Sequence, residues 1–239
     1  MRYALYFTPD RSHPLTATAA AWLGRDAFSN ASIPAVDIDD LAAKDISRWT
    51  AEPRRYGFHG TLAAPFRLKS GFGERDIVHA TEAFAAKSSL VPGQRLKIAT
   101  LGRFVALVPA ASGGELEALA TAAVDHFGIL RAPLTDEDIA RRNPERLTAR
   151  QRRYLDLYGY PYVKDEFRFH MTLTGPMAAP DIARIEPVLH RLLARALATP
   201  VDVDAVALFV EQEPGAPFTV HSTYRLPAKE TREIVCHAP

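Results

Sequence analysis

Two short stretches of the chain present the same residue types in the same order. The first is Phe58-His59-Gly60-Thr61-Leu62 and the second is Phe169-His170-Met171-Thr172-Leu173, so each reads Phe-His-x-Thr-Leu. Because alternate side chains of a β-strand point to the same face, the histidine and the threonine of each stretch share one face, and the two apolar residues share the other. If the two strands lie side by side, two imidazoles and two hydroxyls converge on one cleft.

Paired histidines and threonines suit the cleavage of a phosphodiester. Near neutral pH, one imidazole can accept a proton from water while the other donates a proton to the leaving oxygen. A hydroxyl beside each imidazole can donate to a non-bridging phosphoryl oxygen as negative charge develops there. We therefore predict that His59 and His170 are the catalytic acid–base pair and that Thr61 and Thr172 hold the phosphoryl oxygens. The motifs leave open which histidine is the acid, and this chemistry needs neither a metal ion nor another cofactor.

A metal site is the alternative interpretation of two histidines that face one cleft. Zinc would need a third histidine, cysteine or carboxylate aimed at the same point. The single cysteine, Cys236, excludes a cysteine cluster and an internal disulfide. The remaining histidines show no ligand spacing; they are His13, His79, His126, His190, His221 and His237. A lone His-x-Thr would be ordinary strand composition, but a matched pair is harder to obtain by chance, so we predict a catalytic site without metal.

Three further residues near the motifs are candidates for binding substrate. In a strand, Arg168 shares the face of His170, and Arg55 shares the face of His59 if the first motif strand extends back that far. Either arginine can clamp a phosphate through two hydrogen bonds. Tyr56 can stack on a base or bond to a sugar. The structural alternatives are a salt bridge for each arginine and half-buried packing for the tyrosine.

The composition is that of an ordinary globular protein. The chain has 239 residues, of which 47% are hydrophobic and 24% charged, and its formal net charge is +1. This length fits one large domain or two small lobes. A net charge near zero excludes strong binding of polyanions by bulk charge, so any affinity for phosphate is local. No apolar stretch is long enough for a membrane span and the first residues do not read as a signal peptide, so we expect a cytoplasmic protein without a membrane partner.

The predicted elements follow the same order after each motif. A strand, a helix, a second strand, a hairpin and a further strand follow His59, and the same series follows His170. We therefore expect an α+β fold in which a bilobal, pseudo-twofold pair of antiparallel sheets, flanked by helices, surrounds a central cleft. The chain would form a single two-lobed domain over residues 1–239, with units that open at about residues 55 and 165.

The segment from about 128 to 162 is the most basic part of the chain. It carries seven arginines, and its acidic residues offset only part of that charge. Its pattern predicts a helical insert, with a helix over 145–158. Two interpretations are open: a solvated helical hairpin, or an anion-guiding lid over the cleft.

The two tetrads, His59-Gly60-Thr61-Leu62 and His170-Met171-Thr172-Leu173, resemble the paired motifs of the two-histidine (2H) phosphoesterase superfamily. That superfamily includes cyclic phosphodiesterases and RNA 2′,5′-ligase-like enzymes, and it folds as two antiparallel sheets around a central cleft. The sequence around the tetrads, over residues 54–62 and 167–175, resembles that of a bacterial branch of proteins associated with phosphonate-metabolism operons. The resemblance thus implies a phosphoesterase-like domain with the two histidines and two threonines at its centre.

What the resemblance implies about function is a metal-independent hydrolase of a small cyclic phosphodiester. A phosphoribosyl cyclic phosphate from phosphonate degradation is the leading candidate, and the expected partner is a small phosphorylated sugar or nucleotide. One alternative is an RNA-end-processing 2′,3′-cyclic phosphodiesterase or 2′,5′-ligase-like enzyme, which the low net charge disfavours. The other is a non-catalytic nucleotide- or RNA-binding module, which the intact histidines and threonines disfavour. The oligomeric state is left open.

Overall fold

A seven-stranded antiparallel sheet lies at the centre of the molecule. The computed structural model describes residues 1–111 and 113–228. Within these residues the nine strands are β1 (Arg2–Phe7), β2 (Gly60–Phe66), β3 (Val91–Gln94), β4 (Leu96–Leu101), β5 (Phe104–Pro109), β6 (Met171–Thr172), β7 (Val201–Val203), β8 (Ala205–Glu211) and β9 (Thr219–Arg225). Seven of them form one sheet in the order β4-β5-β6-β2-β1-β8-β9, and β3 pairs with β7 separately. The two motif strands, β2 and β6, are therefore neighbours.

Several helices pack against one face of this sheet. The α-helices of the described residues are α1 (Pro14–Leu23), α2 (Ala43–Trp49), α3 (Ala51–Tyr56), α4 (Glu74–Lys87), α5 (Glu115–Phe127), α6 (Asp136–Ala140), α7 (Ala149–Tyr158) and α8 (Ala179–Leu193). α4 contacts β8 and β9, α5 contacts β2, and α8 contacts β4 and β5. None of the helices in these two ranges is both long and apolar enough to cross a membrane. The predicted α+β class is confirmed, and α4 and α5 have the predicted bounds.

The order of elements repeats, as the sequence predicts. The series β2-α4-β3-β4-β5 follows His59, and the series β6-α8-β7-β8-β9 follows His170. Corresponding strands also pair with each other, β2 with β6 and β3 with β7. The antiparallel sheets of the two units are thereby joined, at β2 and β6, into one continuous sheet. The N-terminal strand breaks the repeat, because β1 lies between β2 and β8 whereas β5 lies directly beside β6.

The alternation of side chains along β1 separates two apolar clusters. Tyr3, Leu5 and Phe7 belong to the main core, which also contains the buried faces of the helices. Ala4 and Tyr6 belong to a smaller cluster with residues of β8. Since successive side chains of a strand point to opposite faces, the main core and the smaller cluster lie on opposite faces of the sheet.

The two motifs follow the same division. Their apolar positions are buried in the main core: Phe58, Leu62, Phe169 and Leu173. Their polar positions are half-buried on the other face: His59, Thr61, His170 and Thr172. The predicted separation of apolar and polar residues within each motif is therefore confirmed.

Both motif strands begin later than the sequence predicts. β2 begins at Gly60, and β6 consists of Met171–Thr172 alone, although a strand is predicted over 167–175. Arg55 lies in α3, and Arg168 lies outside β6. The prediction that these two arginines share a strand face with the histidines is wrong. The physical reason is that the chain reaches the first motif from a helix that ends at Gly57, whose φ is 76°.

Local features explain the other differences in element bounds. α1 is predicted to reach residue 28 but ends at Leu23, because Gly24 adopts a left-handed conformation with φ of 83°. Pro65 lies inside β2, where the pairing with β1 is irregular between Tyr3 and Leu5. The predicted strand over 201–211 is divided into β7 and β8 at Asp204. The predicted loose tail, 229–239, lies outside the described residues.

The Arg-rich segment, residues 128–162, is attached to the end of β2. Arg131 forms an isolated bridge with Leu68. The amide of Ala132 donates to the carbonyl of Arg67 at 2.8 Å, and the side chain of Arg67 pairs with Asp138 in α6. A helix is predicted over 145–158, but α7 begins only at Ala149, because a 3-10 turn precedes it. The segment is thus held against the molecule at the edge of the motif face.

Candidate active site

The pairing of β2 with β6 brings the two motifs together. Gly60 and Met171 are register partners in this antiparallel pair. Continuing the register by one residue in each direction places His59 opposite Thr172 and Thr61 opposite His170. Side chains directly opposite each other in an antiparallel pair have Cβ atoms roughly 5 Å apart. Each histidine therefore faces the threonine of the other motif as well as the threonine of its own.

Gly60 allows this close approach because it has no side chain. The ring of Phe169 lies against its backbone, and a Cβ atom on Gly60 would be 2.5 Å from Cζ of that ring. This separation is shorter than any ordinary contact between carbon atoms. The x position of the first motif is therefore glycine, because the ring of Phe169 from the second motif packs against its backbone.

The imidazole of His59 is fixed by a backbone carbonyl. Nδ1 of His59 lies 2.9 Å from the carbonyl oxygen of Gly57. Because a carbonyl oxygen only accepts, Nδ1 carries the proton of the neutral ring, and Nε2 carries the lone pair. The hydroxyl of Thr61 lies 3.2 Å from Nε2 and donates to it. The hydroxyl of Thr61 therefore engages the basic nitrogen of His59.

The second histidine is held in the same way. Nδ1 of His170 lies 2.7 Å from the carbonyl oxygen of Arg168, again the residue two positions earlier in the chain. Its Nε2 atom is therefore not engaged by this backbone carbonyl. The second motif is further held by the indole of Trp22, which donates to the carbonyl of Leu173 at 2.8 Å. The hydroxyl of Thr174 accepts from the amide of Val105 at 3.0 Å.

His59 lies among aromatic rings. The ring of Tyr6 stacks on it, with centroids 3.8 Å apart and 23° between the planes. Phe209 and Tyr56 approach to 6.1 Å and 6.2 Å between centroids. Burial lowers the pKa of His59 to about 4, and repulsion by a positive charge on His170 acts in the same direction, against the hydrogen bond to Gly57. At neutral pH, His59 is therefore an uncharged proton acceptor.

Two adjoining cavities lie over the paired motifs. The His59 cavity has a volume of about 370 Å³ and is also lined by Thr61 and Thr172. The His170 cavity has a volume of about 450 Å³ and is also lined by Thr61 and Arg168. The walls common to both are Thr61, Ala64, Phe104 and Tyr160. A ligand on the shared wall at Thr61 would have one histidine on each side.

The three residues nominated for substrate binding have different surroundings. Tyr56 lines the His59 cavity, and its ring stacks on Phe218 with centroids 5.3 Å apart. Arg55 pairs with the buried carboxylate of Glu211, so the salt-bridge alternative describes its main contact. Arg168 lines the His170 cavity, although its guanidinium donates to the carbonyl of Asp165 at 2.9 Å. A role of these residues in binding remains a proposal.

The sequence interpretation did not single out two residues that line the His59 cavity. Tyr6 faces the cavity because it is the register partner of Thr61 across β1 and β2. The alternation of aromatic residues in Tyr3-Ala4-Leu5-Tyr6-Phe7 was the available signal. Arg142, from the Arg-rich segment, lies over the ring of Tyr160 at 4.9 Å from its centroid. The positive charge of that segment was visible, but which arginine reaches the cavity depends on how the segment docks.

Metal ligands are not grouped in the described part of the chain. Over residues 1–111 and 113–228, no three His, Cys, Asp or Glu side chains lie close enough together to hold a metal ion. The polar and aromatic groups that line the two motif cavities are imidazoles, hydroxyls, aromatic rings, guanidiniums and the carboxylates of Glu52 and Glu166. This set can bind an anion and move protons.

Comparison with solved structures gives several matches, and the two described next have low TM-scores. One, described as "Crystal structure of phosphoesterase", has a TM-score of 0.42 and 13% identity, and covers 95% of this chain and 98% of that chain. Another, a crystal structure of the protein TT0787 from Thermus thermophilus, has a TM-score of 0.44 and 15% identity, and covers 96% of this chain and 100% of that chain. Likenesses at this level carry no functional conclusion.

Comparison of sequences gives closer relatives. The chain is 39% identical over 221 residues to "Ribose 1,5-bisphosphate phosphokinase PhnN" of Janthinobacterium sp. (strain Marseille), covering 91% of this chain and 49% of that protein. It is 39% identical over 223 residues to the protein of the same name from Laribacter hongkongensis (strain HLHK9), covering 91% of this chain and 50% of that protein. The chain thus spans about half the length of the curated relatives it matches.

One protein family matches most of the chain, including both motif threonines and the second motif histidine. The match covers residues 61–219, and the family is described as "Protein of unknown function (DUF1045)". The chain therefore belongs to the DUF1045 family.

Proposed function

We propose that the chain is a metal-independent phosphoesterase of the two-histidine type that hydrolyses a small cyclic phosphodiester. The observation that carries this proposal is that the two imidazoles are held in the same way by backbone carbonyls. Each Nδ1 atom is bonded to the carbonyl two residues earlier, so each Nε2 atom is left for the motif face. Each histidine also lies opposite the threonine of the other motif. Two such Nε2 atoms suit the two proton transfers that hydrolysis of a phosphodiester requires.

His59 is the general base in this proposal. Its lowered pKa keeps Nε2 unprotonated at neutral pH. When a phosphodiester binds, the hydroxyl of Thr61 turns from Nε2 to a non-bridging phosphoryl oxygen, because a charged oxygen is the stronger acceptor. Nε2 then takes a proton from the attacking water as the new bond between oxygen and phosphorus forms. The bound anion also favours the imidazolium that results.

His170 is the general acid. Its Nε2–H donates a proton to the leaving alkoxide as the ring bond between phosphorus and oxygen breaks, so the product is a phosphomonoester with a free hydroxyl. Thr172 donates to the second non-bridging oxygen, where charge develops in the transition state. The proton taken by His59 and the proton given by His170 balance, so that only water is consumed in the reaction.

A phosphorylated ribose derivative is the proposed substrate. The names of both curated relatives specify ribose 1,5-bisphosphate, a sugar with two phosphate groups. This chain has no Gly-x-x-x-x-Gly-Lys-Ser/Thr stretch for binding the phosphates of ATP. We therefore assign the phosphokinase activity in those names to the half of the relatives that this chain does not match. A 5-phosphoribosyl 1,2-cyclic phosphate fits both the relatives' names and the resemblance to the phosphonate-associated branch.

The test is a hydrolysis assay in the presence of a chelator, read by phosphorus NMR. The panel contains 5-phosphoribosyl 1,2-cyclic phosphate, 2′,3′-cyclic nucleotides and short 2′,5′-linked RNA, so that the RNA-processing alternative is tested together with the proposal. We expect the wild type to turn over the phosphoribosyl compound. The turnover rate should be roughly 10²–10⁴-fold lower in His59→Ala and in His170→Ala. His190→Ala, on the exposed side of α8, is the matched control and should keep full activity. Wild-type turnover in both motif variants would refute the proposal.

A further inference from the structure

We propose that a third cavity, lined by arginines, binds a phosphomonoester group that the substrate carries in addition to its cyclic phosphodiester. This inference rests on the proposed function for the identity of the substrate. The cavity has a volume of about 230 Å³. Its five arginines come from β1, α3, the end of β2 and the segment after α6: Arg2, Arg55, Arg67, Arg141 and Arg142. We call it the arginine cavity.

Positive charge exceeds negative charge around this cavity. The carboxylate of Glu211 is buried and pairs with both Arg2 and Arg55. The carboxylate of Asp138 pairs with both Arg67 and Arg141. Arg142 forms no ion pair with any residue in the described ranges, and its guanidinium lies over the ring of Tyr160. Five guanidiniums thus share two carboxylates, and a recess with like charges on its walls attracts an anion.

The arginines also keep hydrogen-bond donors for a ligand. A guanidinium has five N–H donors. Among the described residues, Arg67 donates one side-chain hydrogen bond, to Asp138, and Arg141 likewise donates one, to the same carboxylate. Their side chains remain 37% and 55% exposed, so the other donors are open to solvent or to a ligand. Guanidiniums bind phosphate oxygens through paired N–H groups, which suits a terminal phosphate.

Asp138 fixes the geometry of these groups. It accepts from the side chain and the amide of Thr135, as well as from the two arginines. The hydrogen bond from Arg67 does most to hold the pKa of Asp138 well below its usual range, so the carboxylate stays charged at neutral pH. The N-terminal turn of α6 is thereby anchored on β2, and this anchor places Arg141 and Arg142 at the cavity.

The arginine cavity adjoins the His59 cavity. The two share the walls formed by Arg2, Tyr56, Pro65 and Arg142. Arg142 therefore lies where a molecule would pass from one cavity into the other. A substrate with its phosphodiester at the histidines and a phosphomonoester on the same sugar can place its second charge among the arginines. This arrangement selects a bis-phosphorylated sugar over a singly phosphorylated one.

Binding of ribose 5-phosphate, measured by titration calorimetry, tests the inference without turnover. We expect Arg142→Gln and Arg141→Gln each to weaken binding about tenfold or more, the usual worth of a charge-assisted hydrogen bond. Arg153→Gln is the matched control, because Arg153 lies on exposed α7 in the same segment and lines none of the three cavities. The double variant His59→Ala, His170→Ala should keep the affinity. The inference would be overturned if all arginine variants bound ribose 5-phosphate as tightly as the wild type. It would also be overturned if Arg153→Gln lost as much affinity as the cavity variants, or if only the histidine double variant lost affinity.

A paired kinetic measurement separates this inference from the proposed function. The two substrates are 5-phosphoribosyl 1,2-cyclic phosphate and the same compound without its 5-phosphate. In Arg141→Gln, whose residue lines the arginine cavity and neither of the motif cavities, we expect a KM about tenfold higher for the first and unchanged for the second. Turnover of both compounds with no effect of Arg141→Gln would leave the proposed function intact and overturn the second phosphate site. Absence of turnover would contradict the proposed function, while the calorimetric result would still decide the arginine cavity.

Discussion

The ring of Tyr6 stacks on the imidazole of His59, with 3.8 Å between the centroids. The stack shields one face of the imidazole from water, and the remaining aromatic neighbours shield its edge. A charged imidazolium is disfavoured in such a setting, which is why the pKa of His59 falls to about 4. Within residues 1–111 and 113–228, no ring stacks on the second histidine in this way; Phe104 lies 5.7 Å from it between centroids and is tilted by 50°. The same motif is thus placed in two different environments, which suits two different roles.

The first prediction concerns the pH dependence of turnover. If His59 is the base of the free enzyme, kcat/KM should fall only as pH decreases through about 4, because the base must be unprotonated to act. Activity should therefore persist well below pH 6.5, the usual pKa of histidine. Tyr6→Leu removes the stack and should move this acidic limb of the pH profile to higher pH. A wild-type limb at the ordinary histidine value would contradict the assignment of His59.

The second prediction concerns stability. Because the folded pKa of His59 lies below its unfolded value, the native state binds fewer protons between these two values. The free energy of unfolding contributed by His59 should therefore decrease as pH falls from about 6.5 to about 4, and should then level off. His59→Gln lacks this contribution, so urea denaturation of both proteins at several pH values isolates it. Parallel stability curves for the two proteins would contradict the lowered pKa.

Much of the site follows from local sequence, because strand alternation is a local property. The period of two correctly places Phe58 and Leu62 in the core and His59 and Thr61 on the other face. The repeated order of elements likewise follows from turn residues and helical patterns within each unit. The likeness of the two motifs predicts that their strands are neighbours, and the pairing of Gly60 with Met171 confirms this.

The remaining features depend on contacts between residues far apart in the chain. Arg55 would share the face of His59 only if the first motif strand extended back to it, but the positive φ of Gly57 lets a helix run directly into the motif. Arg142 reaches the cavity because Asp138 pairs with Arg67, which lies 71 positions earlier. Such a pairing leaves no periodic signal in the sequence. Charge patterning could show that the segment is basic but could not show where it docks.

The third prediction concerns Gly60. In Gly60→Ala, the added methyl group would lie 2.5 Å from Cζ of Phe169, so the ring or the strand must move. Overpacking of this kind typically costs about 1–3 kcal/mol of stability, and here it should also separate β2 from β6 and lower turnover. Gly113→Ala is the control, because a Cβ atom there meets nothing within 4 Å.

Thermal or urea denaturation and the hydrolysis assay together measure both effects of Gly60→Ala. Phe169→Leu in the same chain makes room for the methyl group, so the double variant should be less destabilised than the sum of the two single changes. Strict additivity of the two changes would show that the ring does not limit the approach of the motif strands.

The fourth prediction concerns Glu211, which is buried at the end of β8 and accepts hydrogen bonds from Arg2, Arg55 and the amide of Gly215. Burial alone would raise the pKa of Glu211, but the bonds from the two arginines outweigh it and lower the pKa below its usual value. Glu211→Gln keeps the shape and removes the charge, leaving two guanidiniums without their carboxylate. Removing one partner of a buried ion pair typically costs about 3–5 kcal/mol.

We therefore expect Glu211→Gln to lose about 3 kcal/mol of stability at neutral pH, whereas Glu213→Gln, which is exposed on the adjacent turn, should lose almost nothing. Because the folded pKa of Glu211 is lowered, its contribution is present above the unfolded pKa and disappears as pH falls through the folded value. The difference in stability between wild type and Glu211→Gln should accordingly shrink in acid.

Released from Glu211, Arg2 and Arg55 should also hold ribose 5-phosphate less well, since their geometry at the arginine cavity depends on this carboxylate. A variant with unchanged stability and unchanged affinity for ribose 5-phosphate would show that the carboxylate organises neither the strand end nor the cavity.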